Sequence, residues 1–113
     1  MKGAADVTVL RGIGAPFIET QAGQIANQIR IKIVNRSGAD RSYALSVAEP
    51  AGLTIIAPQN PLAVADGRTE TTTIFVSAPR GAFTNGQLPV VFRVDDGAGF
   101  VEDETYLLLG PAN

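Results

Sequence analysis

Between Gly23 and Asn35 the chain reads Gly-Gln-Ile-Ala-Asn-Gln-Ile-Arg-Ile-Lys-Ile-Val-Asn. Ile25, Ile29, Ile31 and Ile33 share one parity, and Gln28, Arg30 and Lys32 share the other. Successive side chains of a strand point to opposite faces, so this segment predicts one long half-buried β-strand. A helix would scatter the isoleucines around its circumference and restrict their β-branched rotamers.

The remainder of the chain repeats that logic in shorter pieces. Asp6 to Leu10 is a first strand candidate. Pro16-Phe17-Ile18 is expected to continue it after the Gly12-Ile13-Gly14 break, moving the strand between two sheets. Asn35 to Asp40 is a polar turn. Ser42 to Ala48 alternates, with Tyr43, Leu45 and Val47 on one face. Leu53 to Ala57 is a short strand, and Pro58-Gln59-Asn60-Pro61 bars a central strand after it. Leu62-Ala63-Val64 is briefly extended before the Asp66-Gly67 turn. Thr69 to Ser77 is rich in β-branched residues, with Ile74 and Val76 in phase. In the next strand Leu88, Val90, Phe92 and Val94 alternate with Val91 and Arg93. The loop Asp95-Asp96-Gly97-Ala98-Gly99 then joins it to a final strand from Phe100 to Leu109. No segment holds helical periodicity over three turns. The expected fold is all-β: an immunoglobulin-like β-sandwich of about seven antiparallel strands, one domain spanning 1–113. Ile29, Ile31, Ile33, Leu45, Val47, Ile74, Val76, Val90 and Phe92 are the expected core.

Composition narrows function by exclusion. The chain contains no cysteine and no histidine. It can form no disulfide, no Cys–His or Ser–His catalytic pair and no zinc site of the common kind. Met1 is the only thioether, which leaves little for soft copper ligation. The formal net charge is −2, and Lys2 and Lys32 are the only lysines. Neither a phosphate-neutralising face nor a polybasic membrane patch is expected, so nucleic acid and direct membrane insertion are set aside as partners. No run reaches the roughly 18 apolar residues of a membrane span. Lys2 is followed by no hydrophobic signal core. The chain is therefore expected to be either cytosolic or a piece of a longer exported or membrane protein.

Candidate chemistry is sparse. Asp95, Asp96, Glu102, Asp103 and Glu104 form the one acidic group. A calcium site is the functional reading, but the ligand rhythm of a calcium loop is absent. The group reads as a hairpin loop followed by a solvated strand face. The serines have no histidine partner, and Gly12-Ile13-Gly14 precedes Ala15-Pro16 rather than a helix, so it is no phosphate loop. Asn27, on the inward parity, is expected to hydrogen-bond a neighbouring loop backbone, since burial without a partner is costly. Asn35 reads as a turn former. Phe75 lies out of phase with Ile74 and Val76 and should face outward. Shared with another outward apolar residue, it would mark a docking face. Phe75 and Val91 are the candidate contact residues, and no catalytic, cofactor or metal residue is assigned.

Three segments resemble a known family. The Gly23-Gln24-Ile25-Ala26-Asn27 strand with its Lys32-Ile33-Val34-Asn35 end, Val9-Leu10-Arg11 with Phe17 after it, and the closing Leu109-Gly110-Pro111 are similar to the C-terminal immunoglobulin-like domain of FixG/CcoG-type cytochrome oxidase accessory proteins. Gly12-Ile13 departs from the family's usual Asp-Arg, and Ile29 stands at its strand aromatic. The resemblance implies a non-catalytic accessory domain, docking or stabilising, on a membrane-anchored parent that carries 4Fe-4S clusters. Such a parent assists oxidase assembly and copper handling. It implies a place after the last membrane helix, on the periplasmic face of the bacterial inner membrane, with the parent or oxidase assembly components as protein partners. Met1 would then begin an excised piece. The alternative is a generic bacterial immunoglobulin-like interaction or adhesion module that binds a protein or glycan.

Overall fold

The structure, a computed structural model, describes residues 4–112; Met1 and Lys2, named above, lie outside them. In chain order the strands are β1 (Ala5–Arg11), β2 (Ile18–Glu19), β3 (Gln24–Asn35), β4 (Arg41–Glu49), β5 (Thr54–Ile56), β6 (Leu62–Val64), β7 (Thr69–Pro79), β8 (Gln87–Asp95) and β9 (Val101–Leu109). A single 3-10 turn, Arg80–Ala82, follows β7. The strands form two antiparallel sheets. One runs β1-β3-β7-β5, with β2 also on β3, and the other runs β6-β4-β8-β9. Both orders follow the immunoglobulin pattern, and the expected sandwich is the observed fold. The strand count exceeds the expected seven because β2 and β6, two and three residues long, are separate edge strands.

The inward parity of β3 does what its alternation demands. Ile25, Ile29, Ile31 and Ile33 are fully buried against Tyr43 and Leu45 of β4, Ile74 and Val76 of β7, and Val90, Phe92 and Val94 of β8. Burying each such side chain stabilises by about 1.5–3 kcal/mol. Val47 is the one expected core residue that stays half-buried. A register shift between Val47 and Glu49, where β4 pairs with β8, turns the strand there.

Two expectations are corrected. The segment after the glycine break does not change sheets. Ile18 and Glu19 return to the same β3, opposite Ala26 and Ile25, directly beyond the stretch that β1 covers. Gly12 makes this possible: its N–H donates to the Gln28 carbonyl at 2.9 Å, and a Cβ there would lie 2.5 Å from that oxygen. The chain pinches onto β3, loops out and comes back. The second correction concerns β9. Only Asp103 of its acidic middle lies on an outer face. Glu102 and Glu104 share the parity of half-buried Tyr106 and buried Leu108, so they point toward the space between the sheets.

Candidate contact surface

Phe75 does face outward, at 38% exposure. Its β7 neighbours Thr72, Ile74, Val76 and Ala78 all turn inward, leaving Thr71, Thr73, Phe75 and Ser77 on the outer face. Phe75 is not alone there. Ile56 of β5 sits directly opposite it and is 60% exposed. On its other side lies Gln28 of β3. Beyond β3, Ile18 of β2 pairs with Ala26 and is 52% exposed. Ala15, Phe17, Ile18, Ala26, Gln28 and Phe75 line a small cleft of about 60 Å³. Exposed Ile18, Phe75 and Ile56 thus gather at one end of this face, with Gln28 and buried Ala26 of β3 between Ile18 and Phe75. Along β3 this end gives way to Arg30 and Lys32, opposite Thr73 and Thr71. The Arg30 guanidinium is occupied, donating from Nε and Nη2 to the Arg11 carbonyl at 3.3 and 3.2 Å.

Val91 lies elsewhere. It is half-buried on the outer face of the other sheet, opposite Thr105 of β9 and Glu49 of β4. Pro89 and exposed Leu107 pair beside it. The two outer faces of a sandwich look in opposite directions, so Phe75 and Val91 do not belong to one surface. Ile18 and Ile56 were missed by sequence reasoning. A strand of two or three residues has no readable phase, and only pairing with β3 and β7 assigns their side.

The polar residues on the inward parity of β3 are structural. Asn27 is almost fully buried, and its carboxamide behaves as one peptide unit of a ladder. Its Nδ2 donates to the Leu109 carbonyl at 2.8 Å, and its Oδ1 accepts from the Leu109 N–H at 2.9 Å. The partner is therefore the end of β9, not a loop. Asn35 does close a turn as expected. Its Nδ2 donates to the carbonyls of Ala39 and Val64, at 2.8 and 2.9 Å, while Oδ1 accepts from the Ser37 N–H at 2.9 Å.

These contacts draw the three sequence signatures together. Val9, Leu10 and Arg11 pair with Ile31, Arg30 and Ile29. The Arg11 guanidinium lies 5.6 Å above the Tyr106 ring. Asn27 grips Leu109, and the Gly110 N–H donates to the Gly86 carbonyl at 2.9 Å. A Cβ on Gly110 would lie 2.6 Å from the Phe83 ring, so only glycine fits there.

The acidic group is divided among three uses. In the hairpin loop, Asp95 Oδ1 accepts from the Gly97 N–H at 2.7 Å. Asp96 Oδ1 accepts from the N–H groups of Ala98 and Phe100, at 2.7 and 3.0 Å. On the outer face Asp103 makes a two-point pair with Arg93, at 2.8 and 2.9 Å. Its hydrogen bonds hold the Asp103 carboxyl below its usual range and push the guanidinium up. On the inner parity, a hydrogen bond with Glu104, partial burial and the charges of Glu104 and Asp6 push Glu102 up to about 7. Among the described residues no three acidic side chains are placed to hold a metal ion.

Comparison with known proteins agrees with this architecture. The sequence model of a family described as "IG-like fold at C-terminal of FixG, putative oxidoreductase" matches residues 1–111. Among solved structures, a FixG-related protein from Vibrio parahaemolyticus superposes with a TM-score of 0.80 at 16% identity. The match covers 96% of this chain and 97% of that one. No curated protein matches the chain.

Proposed function

We propose a function from one premise: the chain belongs to the family of immunoglobulin-like domains at the C-terminus of FixG. The domain is a non-catalytic docking or stabilising module of a membrane-anchored parent. That parent carries the iron–sulfur clusters, and it supports cytochrome oxidase assembly and copper handling. The domain stands on the periplasmic face of the inner membrane and meets the parent or the oxidase assembly components.

The observation that carries this reading is the exposed apolar group Ile18, Phe75 and Ile56, from β2, β7 and β5, on one face of a single sheet. An exposed apolar patch rimmed by polar residues marks an interaction site. The absence of cysteine and histidine from the sequence points the same way, leaving cluster ligation and nucleophilic catalysis to other parts of the parent.

Deletion of the domain from the native gene tests the proposal. Oxidase assembly or parent abundance should fall, while cluster content per folded parent stays unchanged. Loss of redox activity in a stably inserted, cluster-loaded parent would place the domain within the chemistry and overturn the reading.

A further inference from the structure

Strand β9 is, at nine residues, the longest sheet edge among the described residues. The other edges of the two sheets are shorter, and three are blunted. β5 and β6 have three residues each and are separated by Pro58 and Pro61, and β2 has two residues after Pro16. Which peptide groups of β9 are free follows from Asn27. The N–H and C=O of Leu109 bond to that carboxamide instead of to β8. Hydrogen bonding alternates along an antiparallel strand. Leu107, Thr105, Asp103 and Val101 therefore turn their peptide groups the same way, toward the open edge. Tyr106, Glu104 and Glu102 pair inward with Val90, Phe92 and Val94 of β8.

This edge is self-complementary. Consider a second β9 laid antiparallel about a two-fold axis at Glu104. Val101 then faces Leu107, Asp103 faces Thr105, and all four are residues whose peptide groups point outward. The exposed apolar side chains Val101 and Leu107 meet twice, once on each side of the axis. Asp103 arrives already paired with Arg93 of its own chain. One feature opposes the arrangement. Glu104 would face its own copy in a narrow pair without ladder hydrogen bonds, with Glu102 on the same side. Like charges directly opposite one another on a sheet are destabilising, and inward-pointing charges protect strand edges from pairing.

We propose that the free edge of β9 pairs with β9 of a second copy of this chain, and that the charge on Glu102 and Glu104 holds the edge open. The product is an isologous dimer with one eight-stranded sheet, four strands from each copy. The groups around the two carboxylates set the condition for closure. Glu102 and Glu104 repel each other, and Asp6 adds negative charge from the β1 side. Asp6 is partly offset by Arg36, at 2.8 Å. Arg11 stacks on Tyr106. From β8 the residues opposite are Phe92 and Val94, which supply no charge. The upward shift of Glu102 to about 7 agrees with this crowding.

Sedimentation equilibrium of the purified chain tests the proposal. The wild type should be a monomer of 11.8 kDa at about pH 8 and should shift toward dimer at about pH 5.5, where Glu102 takes up a proton. Glu102→Gln with Glu104→Gln should dimerise at both pH values. Adding Thr105→Pro should return that variant to a monomer. It removes one free-edge N–H while leaving the bonds to β8 intact, and proline is tolerated at such a position. A Gln variant that stays monomeric at both pH values would overturn the proposal. So would a dimer that survives Thr105→Pro with the circular dichroism of the fold unchanged.

Discussion

Asn27 and Asn35 on β3, and Glu102 and Glu104 on β9, all occupy the core-facing parity of their strands. The asparagines are among the most buried residues of the chain, yet their side-chain hydrogen bonds close on backbone groups of Leu109, Ala39, Val64 and Ser37. The glutamates are only half-buried, and each is the other's nearest electrostatic problem. The difference lies in what each side chain can offer. A carboxamide carries both donors and acceptors and can stand in for a peptide unit. An ionised carboxylate only accepts, so two neighbours cannot satisfy each other unless one keeps a proton. Depth of burial is thus a poor guide to where a polar group responds to its surroundings. Here β3 is locked and β9 can change state.

Breaking the locked side should have the largest effect. Asn35→Ala removes the bonds to the Val64 and Ala39 carbonyls and from the Ser37 N–H, of which the one to Val64 is buried, and should cost about 2–3 kcal/mol. Asn27→Ala leaves only the Leu109 peptide groups unpaired and should cost about 2 kcal/mol. Urea unfolding of both variants checks the order. Losses under about 0.5 kcal/mol would place these residues with ordinary surface positions and end the contrast.

The responsive side predicts a sign. Glu102 titrates at about 7 in the folded chain against an ordinary value of 4.5. In that interval the folded state holds a proton that the unfolded chain has released. The stabilisation is fully present below about pH 4.5 and is lost as pH rises through about 7. Midpoints of unfolding, measured from pH 5 to pH 8 at a protein concentration where the chain is monomeric, should fall with rising pH. Glu102→Gln should flatten the slope. An unchanged slope in that variant would assign it to another group.

The hairpin loop should show the smallest effect. Asp95 and Asp96 already spend carboxylate oxygens on the amides of Gly97, Ala98 and Phe100. Millimolar calcium should leave the melting temperature unchanged. A rise that disappears in Asp95→Asn with Asp96→Asn would show that the loop binds the ion after all.

Much of this molecule was legible in the sequence wherever one parity was apolar throughout. The isoleucines of β3 and the alternating segments of β7 and β8 placed the core and the two-sheet architecture. Outward Phe75 followed from the same phase. Legibility failed for three physical reasons. β5 is too short to show a phase, so Ile56 entered the contact group only through its pairing with Phe75. In β9, Glu102-Asp103-Glu104 puts charge on both faces, so alternation carries no sign of which side is inner. The grip of Asn27 on Leu109 joins residues 82 positions apart, beyond any local pattern. The family signatures marked both ends of that contact without showing that they touch.

Docking through the Ile18–Phe75–Ile56 face is tested most directly by introducing Phe75→Ser with Ile56→Ser into the native gene. Ile56 is 60% and Phe75 38% exposed, so the purified variant domain should stay folded and lose no more than about 2 kcal/mol of stability. Assembled oxidase in the membrane, measured against parent abundance in the same samples, should fall several-fold. Full oxidase assembly with both residues replaced and the parent present at its normal level would contradict the account.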